Sequence, residues 1–316
     1  MDIVFVVPTY NRAEDLRQLL TTISRLEVPK GTLWQVVIVD NNSRDHTRLV
    51  AEDSTKVLPL RYLTEYRQGA SHARRRGVLE TSSELIAFVD DDNLLADQWL
   101  VEALKFMQSH PRAGAVGAQV HLLWEAPPDE LLLQYRHCLA EQDHGREIRQ
   151  MPATGITYLA GEALVVRRSA LEASGWIERG ALDCRRGQAL TSGGDTEMCL
   201  RIRSVGYELW YNPAMQQRHR IPVERMTLSH LCGLHRGFGQ SLAVLAGLAH
   251  RHPATLGFRS RAVAGGCWRL FRASLSIAAD AILRAGRVDP HRRLRFYLSL
   301  GGLEGAMAVL WRGYSL

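Results

Sequence analysis

Strand-like and helix-like segments alternate along the first 120 residues, and that alternation limits the fold more than any single motif does. Short runs rich in Val, Ile and Leu lie at Ile3–Val7, Trp34–Val39, Leu60–Thr64, Leu85–Val89 and Ala113–His121. Between them Ala13–Arg25, Arg44–Asp53, Ala70–Glu80 and Ala96–Ser109 read as helices. This pattern implies an α/β fold with a mostly parallel, Rossmann-like sheet covered on both faces. Right-handed crossovers then bring the polar breaks after the first, second and fourth runs to one edge. Those breaks are Thr9-Tyr10-Asn11-Arg12, Asp40-Asn41-Asn42-Ser43 and Asp90-Asp91-Asp92-Asn93. Ligands of open α/β sheets bind along that edge.

The third break carries the most charge. Adjacent carboxylates repel and raise one another's pKa. A hard divalent cation relieves that repulsion, and such ions take oxygen ligands and are often shared with substrate phosphates. The other reading of the same residues is a solvated turn capping the helix that begins near Asp97. Elsewhere on the edge, Asp40 is suited to accept hydrogen bonds from a nucleotide base and Tyr10 to stack on its ring. An Asp at a strand end also serves as an ordinary helix cap. Arg74, within Gln68-Gly69-Ala70-Ser71-His72-Ala73-Arg74, would set a cation near a nucleotide, or with Arg75 and Arg76 would form a solvated helix face.

Beyond the alternating region the pattern loosens. Pro127-Pro128 open an expected helix through Ala140, and a strand at Ala163–Val166 precedes a short helix at Ser169–Ala173. The stretch Gly180–Gly194 lacks periodicity and reads as a mobile loop. Asp195–Val205 reads as a helix, with Met198, Ile202 and Val205 recurring on one face.

The distribution of charge separates the tail from the rest. The net charge is +6, but residues 225–316 hold thirteen Arg, no Lys and three acids, a net +10, which leaves −4 for residues 1–224. The tail reads as helical, and its apolar stretches Leu242–Ala249, Ile277–Leu283 and Leu298–Leu310 fall short of the roughly 20 residues of a membrane span. Trp268, Phe271 and Leu275 share a helical face flanked by Arg269 and Arg272. Such a helix suits either an anionic membrane surface or packing on the catalytic domain. The division expected is residues 1–224 for the α/β unit with its nucleotide-binding edge and 225–316 for an Arg-rich helical extension.

The five cysteines, Cys138, Cys184, Cys199, Cys232 and Cys267, form no CxxC pair, so neither a zinc site nor a disulfide framework is expected. A reducing compartment is expected, and no secretory leader is expected from the two residues before the first apolar run. The location expected is cytoplasmic, peripheral at the inner face of the cell membrane. The tail lacks a nucleic-acid reading motif, so no nucleic-acid partner is expected.

The ordered set of motifs resembles the family 2 glycosyltransferases of the GT-A fold. It comprises Val7-Pro8-Thr9-Tyr10-Asn11-Arg12, Val39-Asp40-Asn41-Asn42-Ser43, Phe88-Val89-Asp90-Asp91-Asp92-Asn93, Gly194-Asp195-Thr196-Glu197, and Tyr211-Asn212-Pro213 leading to His219-Arg220-Ile221-Pro222. The resemblance spans roughly residues 3–225. It implies inverting transfer of a sugar from a nucleotide diphosphate donor, expected to be uridine-linked, to a hydroxyl of a glycan, polysaccharide or lipid-linked acceptor. Matched residue by residue, Asp40 would contact the base, and Pro8, Thr9, Tyr10 and Arg12 would line the donor pocket with Arg74. Asp91 would face the ribose or the metal, with Asp90 beside it as a donor contact or structural support. Asp92 and His219 would hold a divalent cation, Mn or Mg. Asp195 matches the catalytic base, which takes the acceptor proton while the cation offsets charge on the departing diphosphate.

Two positions depart from the family pattern: Gly194 stands where Glu commonly precedes the base, and Arg75 where Asn often follows the arginine. As a helix N-cap, Asp195 would do no chemistry, and Glu197 would merely favour the helix dipole. Two other functions are compatible with an α/β nucleotide site. A sugar-phosphate nucleotidyltransferase would carry a Gly- and Lys-rich loop after the first strand, where this chain has Pro8-Thr9-Tyr10-Asn11-Arg12. A non-catalytic nucleotide-sugar scaffold would not need both Asp92 and Asp195.

Overall fold

The computed structural model describes residues 1–182, 190–249, 255–284 and 286–312. The expected alternation is observed as β1 (Asp2–Thr9), α1 (Ala13–Ile23), β2 (Leu33–Asp40), α2 (Thr47–Ser54), β3 (Leu60–Thr64), α3 (Ala70–Leu79) and β4 (Leu85–Val89). Then come β5 (Asn93–Leu95), α4 (Trp99–Ser109), β6 (Ala113–Trp124), α5 (Glu130–Gln134) and β7 (Arg149–Gln150). β8 (Ala163–Arg167), α6 (Arg168–Ala173), α7 (Trp176–Arg179), α8 (Gly194–Ser204) and β9 (Glu208–Ile221) complete the α/β part.

The strands form one sheet in the order β3-β2-β1-β4-β8-β6-β9-β5, with β7 also on β9. β1 to β4 are parallel, and Thr9 at the end of β1 is in register with Asp40 at the end of β2. The polar breaks therefore converge as the alternation predicts. Every residue of Ile3–Val7 and Leu85–Val89 is fully buried, because both faces of the sheet are covered. Phe5 packs edge-on against Trp34 and tilted against Trp99. Its truncation to Ala would cost about 3–5 kcal/mol.

Several boundaries differ from the pattern reading, each for a local reason. The helix expected from Arg44 starts at Thr47, because Asp45 Oδ1 accepts the backbone N–H and the hydroxyl of Thr47. The helix expected from Ala96 starts at Trp99, after β5, which pairs with β9. Pro127 and Pro128 precede the helix they were expected to open: Asp129 caps α5, which is followed by a 3₁₀ turn, Arg136–Leu139, and Ala140 at φ +69°. β8 runs antiparallel to both β4 and β6. β9 has no counterpart among the expected strands, since its buried positions include Gln217 and His219, which mask its alternation. Residues 183–189, in the middle of the expected loop Gly180–Gly194, lie outside the described residues, as does Cys184. The four other cysteines are free thiols.

The basic tail folds as α9 (Leu228–Ala249), α10 (Leu256–Leu283) and α11 (Pro290–Arg312). α9 and α11 cross with their backbones in contact: a Cβ on Gly239 would overlap the Leu298 carbonyl, and one on Gly305 would overlap that of Gln240. Arg236 and Glu304 clamp the crossing with an ion pair at 2.5 Å. α10 rests on α11 and buries only Gly266 and Asp280. Among the described residues no helix is long and apolar enough to cross a membrane.

Candidate active site

Two cavities meet at the carboxyl ends of β1 and β4. The first, about 270 Å³, is lined by Pro8, Thr9, Tyr10 and Arg12 from the first break, and by Asp90, Asp91 and Asp92 from the third. His219, from the end of β9, closes it. The second, about 410 Å³, holds Arg74 and Asp195. Asp90 and Glu162 belong to both walls, so the two spaces adjoin there.

Arginines hold the carboxylate triplet in place. Arg12 Nη1 lies 2.8 Å from both Asp91 Oδ1 and Asp92 Oδ2. Arg225 Nη1 stands 3.0 Å from the same Asp92 oxygen, and Arg74 Nη2 stands 2.6 Å from Asp90 Oδ1. The antiparallel pairing of β5 with β9 sets His219 opposite Asn93. Its Nε2 is then 3.5 Å from Asp92 Oδ2, while Nδ1 lies 2.9 Å from the Leu139 carbonyl and 3.3 Å from Glu162 Oε1.

These groups are buried and shift one another's protonation. Burial disfavours the charged form of Asp92, but His219, Arg12 and Arg225 outweigh it and hold the carboxyl well below the usual carboxylate range. Burial dominates at Asp91 and pushes it up to about 7, against the pull of Arg12. Glu162 is likewise pushed up by burial to about 8, with His219 opposing. Burial works against the charged imidazole of His219, yet Glu162 and Asp92 raise it to about 9.

Asp40, the residue expected to contact the base, is not among those lining the first cavity. Its Oδ1 accepts from the N–H and hydroxyl of Ser43 at 2.9 and 2.5 Å, and its Oδ2 from the Tyr62 hydroxyl at 2.5 Å. The neighbouring Asn41 lines the first cavity instead. Its side chain donates to the carbonyls of Glu65 and Arg67 and accepts the Gly69 N–H, which fixes the approach to α3.

Asp195 lies in the first turn of α8, one residue after its start at Gly194. Oδ1 accepts the Thr196 N–H at 2.8 Å and Oδ2 the Gly161 N–H at 3.1 Å. Gly161 permits this approach, since a Cβ there would come within 2.6 Å of Asp195 Cβ. Glu197, two residues on, points into the protein. It accepts from the Ala181 and Leu182 N–H groups and from Arg201 Nε, each at 2.8 Å.

Glu162 and Arg225 were not singled out from sequence. Glu162 precedes an apolar run, and its signal is the strand direction: β8 is antiparallel to β4, so its first residues lie at the ligand edge. Arg225 follows the His219–Pro222 motif by three residues, and no local pattern marks it.

The sheet order and the acidic edge define an α/β protein of the GT-A type. Residues 4–175 match the family model described as Glycosyl transferase family 2, and the chain belongs to that family. The chain is 26% identical over 257 residues to the pre-mycofactocin glycosyltransferase of Mycobacterium tuberculosis, covering 80% of this chain and 48% of that protein. It is 22% identical over 227 residues to the glucosyl-dolichyl phosphate glucuronosyltransferase of Haloferax volcanii, covering 70% of each. A third similarity, 35% over 97 residues to glycosyltransferase AglE of the same organism, covers 30% of this chain and 32% of that one. The chain thus spans about half or less of the first and third of these proteins. Among solved structures, S. aureus TarS 1–349 in complex with UDP-GlcNAc superposes with a TM-score of 0.53 at 15% identity, covering 98% of this chain and 92% of that one. Mannosyltransferase PcManGT from Pyrobaculum calidifontis, in complex with GDP-Man and Mn2+, gives 0.55 at 20% identity, covering 98% and 87%. These likenesses carry the fold.

Proposed function

We propose that this protein is a divalent-cation-dependent inverting glycosyltransferase that moves a sugar from a nucleotide diphosphate donor, UDP-linked in our reading, to an acceptor hydroxyl. One observation carries the reading: the cavity holding Asp92 and His219 adjoins, at Asp90 and Glu162, the cavity holding Asp195. A donor in the first and an acceptor in the second would meet at that seam. Pro8, Thr9, Tyr10 and Arg12 line the donor side, with Arg74 paired to Asp90 at the boundary. In this assignment residues 1–224 form the donor and catalytic unit and 225–316 the helical extension.

Asp92 and His219 suit a divalent cation. With Nδ1 held by the Leu139 carbonyl, a cation that displaced the Nε2 proton would find Nε2 and Asp92 Oδ2 3.5 Å apart as its two protein ligands. Among the described residues no three acidic, His or Cys side chains are set to close around one ion. Two protein ligands are nevertheless sufficient where substrate phosphates and waters complete the shell. When bound, the cation would act as a Lewis acid on the diphosphate.

The protein's own groups account for the remainder. Asp195, fixed by the Gly161 and Thr196 N–H groups, keeps lone pairs free to take the acceptor proton. The acceptor oxygen forms a bond to the anomeric carbon as the bond from that carbon to the diphosphate oxygen breaks. The electron pair leaves with the nucleoside diphosphate, whose charge Arg12 and Arg225 help to offset. The test is Asp195→Asn. We expect nucleotide release to fall about 10²–10⁴-fold while thermal stabilisation by donor and Mn2+ is retained. Full activity in this variant would remove Asp195 from the base role, and lost donor binding would contradict the division between the cavities.

The exposed side of α10 supports peripheral contact with an anionic membrane. Trp268, Phe271, Leu275 and Ile282 are exposed and recur at helical spacing. The one acid of α10, Asp280, is buried and paired with Arg284 at 2.7 Å. A second copy would oppose this face with the same arginines, whereas an anionic surface complements them. Trp268→Ser with Phe271→Ser should abolish co-sedimentation with phosphatidylglycerol vesicles, and unchanged partition would refute the contact.

A further inference from the structure

The second cavity is built for something other than a simple sugar. Its wall beyond Asp195 comes from the basic tail: Phe238, Leu242 and Leu245 of α9 and Leu298 of α11, facing Ile156 and Tyr158. Phe238, Leu242 and Leu245 recur at helical spacing on one face, about 10 Å along the axis at 1.5 Å per residue. The Ser241 hydroxyl and one ring nitrogen of His235 on this face are already engaged. The Ser241 hydroxyl donates to the Ser192 carbonyl, and His235 Nδ1 lies 2.9 Å from the Leu231 carbonyl. A glycan laid along α9 would find few partners for its hydroxyls, and each unpaired hydroxyl would be costly to desolvate. An apolar chain or ring would lose nothing there and would take apolar surface out of water.

The geometry points to an amphiphilic acceptor, whose hydroxyl lies at Asp195 and whose apolar aglycone lies along α9 against Phe238, Leu242 and Leu298. This rests on the glycosyltransferase reading and adds the acceptor class to it. It also gives the tail a role in the reaction, since removing α9 would leave the cavity without its apolar wall.

The experiment titrates the full chain with hexyl, octyl and decyl β-D-glucosides below their micellar concentrations, with stabilisation by UDP and Mn2+ measured in parallel. Affinity should rise with chain length by up to about fourfold per methylene. Leu242→Ser, which puts a hydroxyl on the apolar wall, and Leu242→Trp, which fills the cavity, should both flatten that dependence while leaving stabilisation by UDP and Mn2+ unchanged. Trp268→Ser on the exposed face of α10 should leave the dependence intact, which separates the cavity from the outer surface. A chain-length dependence that is absent, or that survives both Leu242 variants, overturns the apolar acceptor site alone. Loss of any stabilisation by nucleoside diphosphates in the wild-type protein overturns the glycosyltransferase reading, and the acceptor class falls with it.

Discussion

Asp195 and Glu197 lie two residues apart in the first turn of α8, and their replacement should fail in opposite ways. Glu197 is fully buried, and its partner Arg201 is 2% exposed, with Nε and Oε1 separated by 2.8 Å. The same carboxylate accepts the Ala181 and Leu182 N–H groups, so it has three donors and little solvent. Glu197→Ala would remove the carboxylate partner of a buried guanidinium that also donates to the Arg179 carbonyl at 3.0 Å. Breaking a buried pair from one side costs about 3–5 kcal/mol. At roughly 2 °C per kcal/mol for a chain of this size, Tm should fall by on the order of 6–10 °C. Glu197→Gln should recover part of that loss, because an amide offers one acceptor oxygen where three donors converge. Differential scanning calorimetry and urea unfolding provide the assay, with nucleotide release measured well below the lowered Tm. Asp195→Asn should leave Tm within about 2 °C and lower turnover about 10²–10⁴-fold. If Glu197→Ala proved as stable as the wild type, the buried three-donor network would be wrong. If it folded stably but lost catalysis, Glu197 rather than Asp195 would be the base.

Three further outcomes follow from the site. The folded-state pKa of His219 is raised above its ordinary value of 6.5 to about 9, so its contribution to stability is complete below 6.5 and lost as pH rises through 9. Metal-free protein should therefore lose Tm between pH 6.5 and 9, and His219→Gln should flatten the decline; an unchanged slope would exclude His219 as its cause. Gly161→Ala places a methyl 2.6 Å from Asp195 Cβ. Transfer should fall about 10–100-fold with donor-dependent stabilisation intact, because small displacements of a base cost rate steeply. Arg12→Ala removes the guanidinium shared by Asp91 and Asp92 and should weaken UDP binding more than tenfold, or 1.4 kcal/mol, by isothermal titration.

The acidic edge was legible in the sequence because its chemistry is local. Asp90, Asp91 and Asp92 are adjacent, and an apolar run before them is enough to put them at a strand end. Thr9 to Arg12 follow from the same logic, since parallel strands share one carboxyl edge. Asp40 shows the limit of that logic. It stands at the right edge, but Tyr62 from β3 and Ser43 from its own loop engage both oxygens, and only tertiary pairing decides which carboxylate faces a cavity. Glu162 was hidden by strand direction: had β8 been parallel to β4, its N-terminal residues would lie at the far edge. β9 was hidden by composition, because Gln217 and His219 occupy inward positions where alternation leads one to expect apolar residues.

The tail was read by composition as a basic surface element, and the cavity lining adds a second face to it. α9 faces inward, lining the space beside Asp195 with Phe238, Leu242 and Leu245, while α10 carries the outward stripe of Trp268, Phe271 and Leu275. α11 joins them through the close crossing at Gly239 and Gly305. One three-helix layer thus presents an apolar wall to the cavity beside Asp195 and an apolar, arginine-flanked stripe to the exterior. An acceptor that is itself amphiphilic would use both, and the crossing offers a way to separate them. Gly305→Leu should push α11 away from the Gln240 carbonyl and displace Leu298 from the cavity wall. The chain-length dependence of alkyl glucoside binding should then weaken, while vesicle binding through α10 and stabilisation by UDP and Mn2+ persist. If vesicle binding were lost and alkyl glucoside binding kept, the inner face would have no part in holding the acceptor.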